Sequence, residues 1–97
     1  MGIKYLRKYS DIEEELTLGI MEIDKFYDIF EISTEEWQSL SEIEKKECAK
    51  TLADDIFYGL GEETHHNLGA ASINYIQRDN LIKILYENLD IKVISLI

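Results

Sequence analysis

Apolar residues recur at helical spacing through much of the chain. Leu16, Ile20, Ile23, Tyr27 and Phe30 step by four, three, four and three, which draws one face of a helix. Ile12, Phe26 and Ile29 widen that stripe. Ahead of it, "SDIE" offers Ser10 as a cap with Glu13 reaching back, and Asp11 to Glu15 place negative charge at the positive end of the helix dipole. The pattern predicts a helix over about 11–31. Gly19 weakens it by about 1 kcal/mol relative to alanine.

Two further capping boxes follow. "STEE", Ser33 to Glu36, has Ile32 before the cap and Trp37 at the fourth helical position, the arrangement of a hydrophobic staple. This helix must be short, because "SEIE", Ser41 to Glu44, comes next. Behind it Ala49, Leu52, Ala53, Ile56, Phe57 and Leu60 repeat by three and four, with Glu44, Lys45, Glu47, Lys50 and Asp54 on the opposite face. The helix is expected to end near Tyr58, with Gly59 or Gly61 in a left-handed turn.

Residues 70–89 carry Ile73, Ile76, Leu81, Ile82, Leu85, Tyr86 and Leu89 over a wide arc, which predicts a central helix contacted on several sides. The alternative divides the segment into a strand at about 71–76 and a helix capped by Asp79. In "IKVISLI", Ile91, Val93 and Ser95 alternate with Lys92, Ile94 and Leu96. That favours a strand, and "IKYL" at 3–6 can supply its partner. A helical or extended tail packed on the bundle is the alternative. The expected fold is mainly α: a single-domain bundle of about four helices over 1–97, with a short terminal strand pair (3–6 with 91–96).

At 97 residues with 45% hydrophobic content, one core fits the chain without staples. The single cysteine, Cys48, forms no internal disulfide, which favours a reducing compartment. No apolar run suits a secretory leader or a membrane span, and "MGIKYL" lacks the hydroxyl residue that a myristoylation signal needs. A soluble cytoplasmic protein is expected.

The net charge is −10 and unevenly distributed. Residues 1–9 carry Lys4, Arg7 and Lys8 and no acid. Residues 11–36 carry ten acids, Glu22 and Asp28 among them, against Lys25 alone. This disfavours direct nucleic-acid binding and anionic membranes, which need clustered bases. It permits a protein partner with a basic surface.

Candidate chemistry concentrates in "GLGEETHH", residues 59–66, which holds both histidines. On a helix, Glu62 and Glu63 would face His66 at four and three residues, the spacing of di-iron carboxylate motifs. Such a site needs a second motif and two more glutamates, and zinc needs three or four ligands. No metal or cofactor is therefore expected. Cys48 has only Lys45 and Lys46 nearby to stabilise a thiolate, and reads as a small half-buried residue. No phosphate-loop, dinucleotide or nucleophile-elbow pattern occurs, so no catalytic residue is assigned. The stretch reads as a joint between helices.

Tyr58 lies one step off the apolar face of its helix and is the best candidate for an exposed aromatic. With Asp54, Asp55, Glu62 and Glu63 it would form an aromatic anchor within an acidic rim. His65, His66, Glu22 and Asp28 complete the candidate partner-binding set. These features point to a non-catalytic inhibitor of a basic partner, in the manner of bacterial immunity proteins, antitoxins and phage-encoded inhibitors. Usage rich in Ile, Lys, Asn and Glu suits an AT-rich bacterial or phage gene. A homo-oligomeric module is the alternative, and a small metal protein or enzyme using Glu62, His65 and His66 the second alternative.

Overall fold

A computed structural model describes residues 2–97. The N-terminal half is helical: α1 (Tyr9–Met21), a 3-10 turn (Phe26–Phe30), α2 (Thr34–Ser39) and α3 (Glu42–Leu60). The C-terminal half is an antiparallel meander of β1 (His65–Leu68), β2 (Ala71–Ile76), β3 (Leu81–Tyr86) and β4 (Leu89–Ser95), paired in sequence order. The fold is α+β. The expected four-helix bundle is overturned by this sheet.

The error lies in residues 70–89. Ala71, Ile73 and Tyr75 alternate to one side of β2, and Ile82 and Ile84 to the same side of β3. The period is two, and the wide arc drawn on a helical wheel is that alternation misread. The breaks are turns made without proline. Between β2 and β3, Gln77–Asp79 form a 3-10 turn and Asn80 takes φ 53°. Between β3 and β4, Glu87 and Asn88 both have positive φ, 52° and 68°, the signature of a type I′ hairpin. The strand at 71–76 matches the divided alternative, but a second strand follows it instead of a helix capped by Asp79. Gly69, at φ 63°, opens the two-residue turn between β1 and β2.

The terminal strand exists but pairs with β3, not with 3–6. Residues 3–6 are not a strand. The Leu6 amide donates to the Leu96 carbonyl at 2.7 Å, and Arg7 Nη1 donates to the Ser95 carbonyl at 2.9 Å, so the two termini are pinned at one point. Ile91 is the extra residue of a bulge: Ile84 faces Lys92, while Leu85 faces Asp90.

The expected helix over 11–31 is also divided. It ends at Met21, Lys25 turns left-handed (φ 53°), and the buried Ile23, Phe26 and Tyr27 are delivered by a turn. Ser10 is not its cap. α1 starts two residues earlier with Lys8 in the cap position and no side-chain bond there. The tethering of Leu6 and Arg7 to the end of β4 sets that earlier start. Of the other two boxes the first forms by half, with Ser33 Oγ accepting from the Glu36 amide, and the second in full, with Ser41 and Glu44 completing a reciprocal pair. Those bonds hold the Glu44 carboxyl below its ordinary pKa. α3 runs on to Leu60, so Gly59 is helical. Gly61 at φ −68° is right-handed, and neither glycine makes the expected left-handed turn.

α1 and α3 pack against each other and cover one face of the sheet, α1 over β4 and α3 over β1. Ile12, Leu16 and Ile20 meet Leu52, Ile56, Leu60, Ile73, Ile82, Ile84 and Ile94 in the core. Each such side chain contributes about 1.5–3 kcal/mol by burial. The other face of the sheet has no layer over it among these elements.

Candidate functional site

The two helices run antiparallel, as three cross-links show. Tyr9 reaches Asp54, Lys50 Nζ lies 3.8 Å from Glu13, and Lys46 Nζ lies 2.6 Å from Glu14. Tyr58 therefore lies beside the start of α1, and Glu22 and Asp28 lie past its far end. A thirteen-residue helix is about 20 Å long. The nine candidate residues thus fall into separate groups rather than one patch.

At the first end, Tyr58 is 82% exposed. It lines a cleft of about 400 Å³ with Gly2, Ile3, Tyr5, Phe57 and Glu62. Asp55 and Glu63 are exposed nearby in sequence. Asp54 is not free for a partner, since it accepts from the Tyr9 hydroxyl at 2.7 Å. Burial first, then that bond, raises the Tyr9 hydroxyl far above the ordinary range. Tyr5 and Phe57 were not singled out by the sequence. Their only signal is the aromatic clustering itself.

The histidines separate. Both lie on β1, a strand, so the helical spacing of Glu62 and Glu63 to His66 does not arise. His65 faces Asn74 across the open side of the sheet and His66 faces Ile73 on the covered side. His65 Nδ1 is 2.5 Å from Asn74 Oδ1 and Nε2 is 2.9 Å from Asn67 Oδ1, while Asn74 Nδ2 donates to Ser72 Oγ. No sequence pattern announces this cluster, because it joins two strands through their register. His66 Nε2 is buried without a partner among the described residues. Among those residues no three His, Cys, Asp or Glu side chains converge on a point that could hold a metal ion. Cys48 is half-buried, and burial raises its thiol pKa, which disfavours the thiolate.

At the far end of α1, residues 22–37 fold back on themselves. The Trp37 ring stacks on Tyr27 (4.5 Å, 15°) and meets Phe26 edge-on at 5.1 Å. This holds Glu22, Asp24, Asp28, Glu31, Glu35 and Glu36 outward, all exposed. None of the six has an ion-pair partner among the described residues. The acids of α1 differ: Glu13, Glu14 and Glu15 are paired with Lys50, Lys46 and Arg7. A cleft of about 510 Å³ opens at this corner between Asp24, Lys25, Asp28, Ile29 and the β1–β2 turn at Leu68 and Gly69. Ile29 is 48% exposed, although the helical stripe placed it with the core.

Among the described residues no helix is long and apolar enough to cross a membrane. Comparison with protein-family models, with curated proteins and with solved structures finds no match for the chain.

Proposed function

We propose that this protein is a non-catalytic binding protein that occupies a basic surface of another protein and inhibits it, inside the cell. The observation that carries this reading is the unequal pairing of the acids. Those on α1 are largely compensated by bases of α3 and by Arg7, whereas the six at 22–36 face solvent without an ion pair, with Lys25 the one base of that stretch. Like charges held together repel one another and lower stability, and a basic partner relieves that cost. Their field reaches about 8 Å at physiological salt, enough to steer encounter. The exposed Ile29 between Asp28 and Glu31 adds an apolar contact to this rim.

The test is recovery of a partner from the native host at low and high salt. Beside the native protein run a variant with Asp24, Asp28, Glu31 and Glu35 changed to their amides, and a control with Glu14→Gln and Glu47→Gln. The reading expects one basic partner, lost at high salt and lost by the first variant but kept by the control. Recovery indifferent to salt, or no partner at all, refutes it.

A second reading, self-association, draws on the open face of the sheet. Ile76, Leu81, Leu85 and Val93 lie there outside the core, and Val93 is 49% exposed. Light scattering separates a monomer from this outcome.

A further inference from the structure

The aromatic rings at the start of α1 form walls. Tyr5 and Phe57 lie 5.6 Å apart and nearly perpendicular (78°), and Tyr9 closes on Phe57 at 5.0 Å and 71°. Tyr58, next in sequence to Phe57, stands outside this cluster and pairs with no other ring among the described residues. The cleft of about 400 Å³ lies between them, with Ile3 at its side. A single exposed tyrosine is ordinary. Three aromatic side chains and one carboxylate, Glu62, around one opening, with no lysine or arginine among the lining residues, form a specific chemical setting.

Ring faces carry negative potential and attract cations. Glu62 adds a full charge of the same sign. A neutral apolar guest would leave Glu62 to be desolvated without compensation. Of the two common cationic side chains, the guanidinium is planar, weakly hydrated and able to stack on an aromatic face while donating to a carboxylate. We propose that this cleft receives an arginine side chain of a protein partner, held over Tyr58 and Tyr5 and paired with Glu62. The inference goes beyond the acidic corner, which lies past the opposite end of α1 and is not needed for it.

The test is a titration of the intact protein with N-acetyl-arginine N-methylamide, followed by the ring resonances of Tyr5 and Tyr58. Citrulline and lysine analogues run in parallel. The arginine compound is expected to shift both rings saturably and to bind roughly fivefold or more tightly than the neutral citrulline compound, with lysine between them. Tyr58→Ala is expected to abolish the effect. Glu62→Gln, which keeps every ring, is expected to reduce affinity for arginine but not for citrulline. Equal binding of arginine and citrulline, unchanged binding by Tyr58→Ala, or shifts confined to residues 22–36 each overturn the proposal. The titration needs no partner and does not touch the corner, so its failure leaves the corner reading standing, and the reverse also holds.

Discussion

The hydroxyl of Tyr9 donates to Asp54 Oδ1 at 2.7 Å and joins the first turn of α1 to the last third of α3 across 45 residues of sequence. The bond sits in a half-buried network. Glu13, one turn on along α1, shares that surroundings with Asp54, and Lys50 approaches it at 3.8 Å. Two carboxylates next to each other hold a proton between them more readily than either does alone.

That arrangement makes stability depend on pH. Hydrogen bonding to Asp54, then burial, then the Asp54 charge raise the Glu13 carboxyl above its ordinary pKa, against the opposing pull of Lys50. A carboxyl whose folded pKa is raised contributes stability in full below its unfolded pKa and loses it as pH rises through the folded one. Glu13→Gln keeps the shape and a donor but cannot ionise. The variant is expected to be more stable than the native protein at pH 7, with the advantage shrinking as pH falls through the raised folded pKa and gone below about pH 4, near the unfolded value. Urea midpoints at pH 4, 5.5 and 7 measure it, and parallel pH profiles for the two proteins would contradict it.

Two helical glycines are expected to respond to alanine with opposite signs. A Cβ at Gly19 would lie 2.5 Å from Ile84 Cδ1 and 3.3 Å from Lys92 Cγ. Ile84 is fully buried, so its terminal methyl can yield only by shifting within a packed core. Overpacking of about 1–3 kcal/mol outweighs the roughly 1 kcal/mol of helix propensity gained, so Gly19→Ala should lower stability. At Gly59 nothing lies within 4 Å, and Gly59→Ala should raise it by about 0.5–1 kcal/mol. Chemical denaturation of both variants reads the two signs.

The hairpin between β3 and β4 carries avoidable strain. Glu87 at φ 52° and Asn88 at φ 68° occupy a turn that favours Asn-Gly. The double change Glu87→Asn, Asn88→Gly is expected to stabilise the protein by roughly 1 kcal/mol. Thermal denaturation checks this, and a melting temperature unchanged or lowered would count against the turn assignment.

How much of this was readable beforehand follows from the range of each signal. Ser33 and Ser41 announced their helices because a capping box is complete within four residues. Tyr58 was readable as exposed, since a regular helix fixes the direction of every side chain along it. Ser10 misled because Leu6 and Arg7 are held at the far terminus, and that contact set where α1 begins. The candidate site divided for the same kind of reason. Asp54 and Asp55 lie on α3 and Glu62 and Glu63 just past its end, but Glu22 and Asp28 lie a helix length away.

The sequence by itself determined the caps at Ser33 and Ser41, the acidic 22–36 stretch and the apolar alternation in "IKVISLI". Only the tertiary structure decided that residues 70–89 are a hairpin. Isoleucines spaced over a wide arc serve either a buried helix or two strands buried on one face, and the choice rests on what covers them. Here α1 and α3 supply a single apolar surface, and an antiparallel sheet matches it with one face while satisfying its backbone groups strand to strand. The same packing separated His65 from His66. On a strand, neighbouring side chains leave by opposite faces, so the pair that looked most like a site in "GLGEETHH" is divided between the covered and the open face of the sheet.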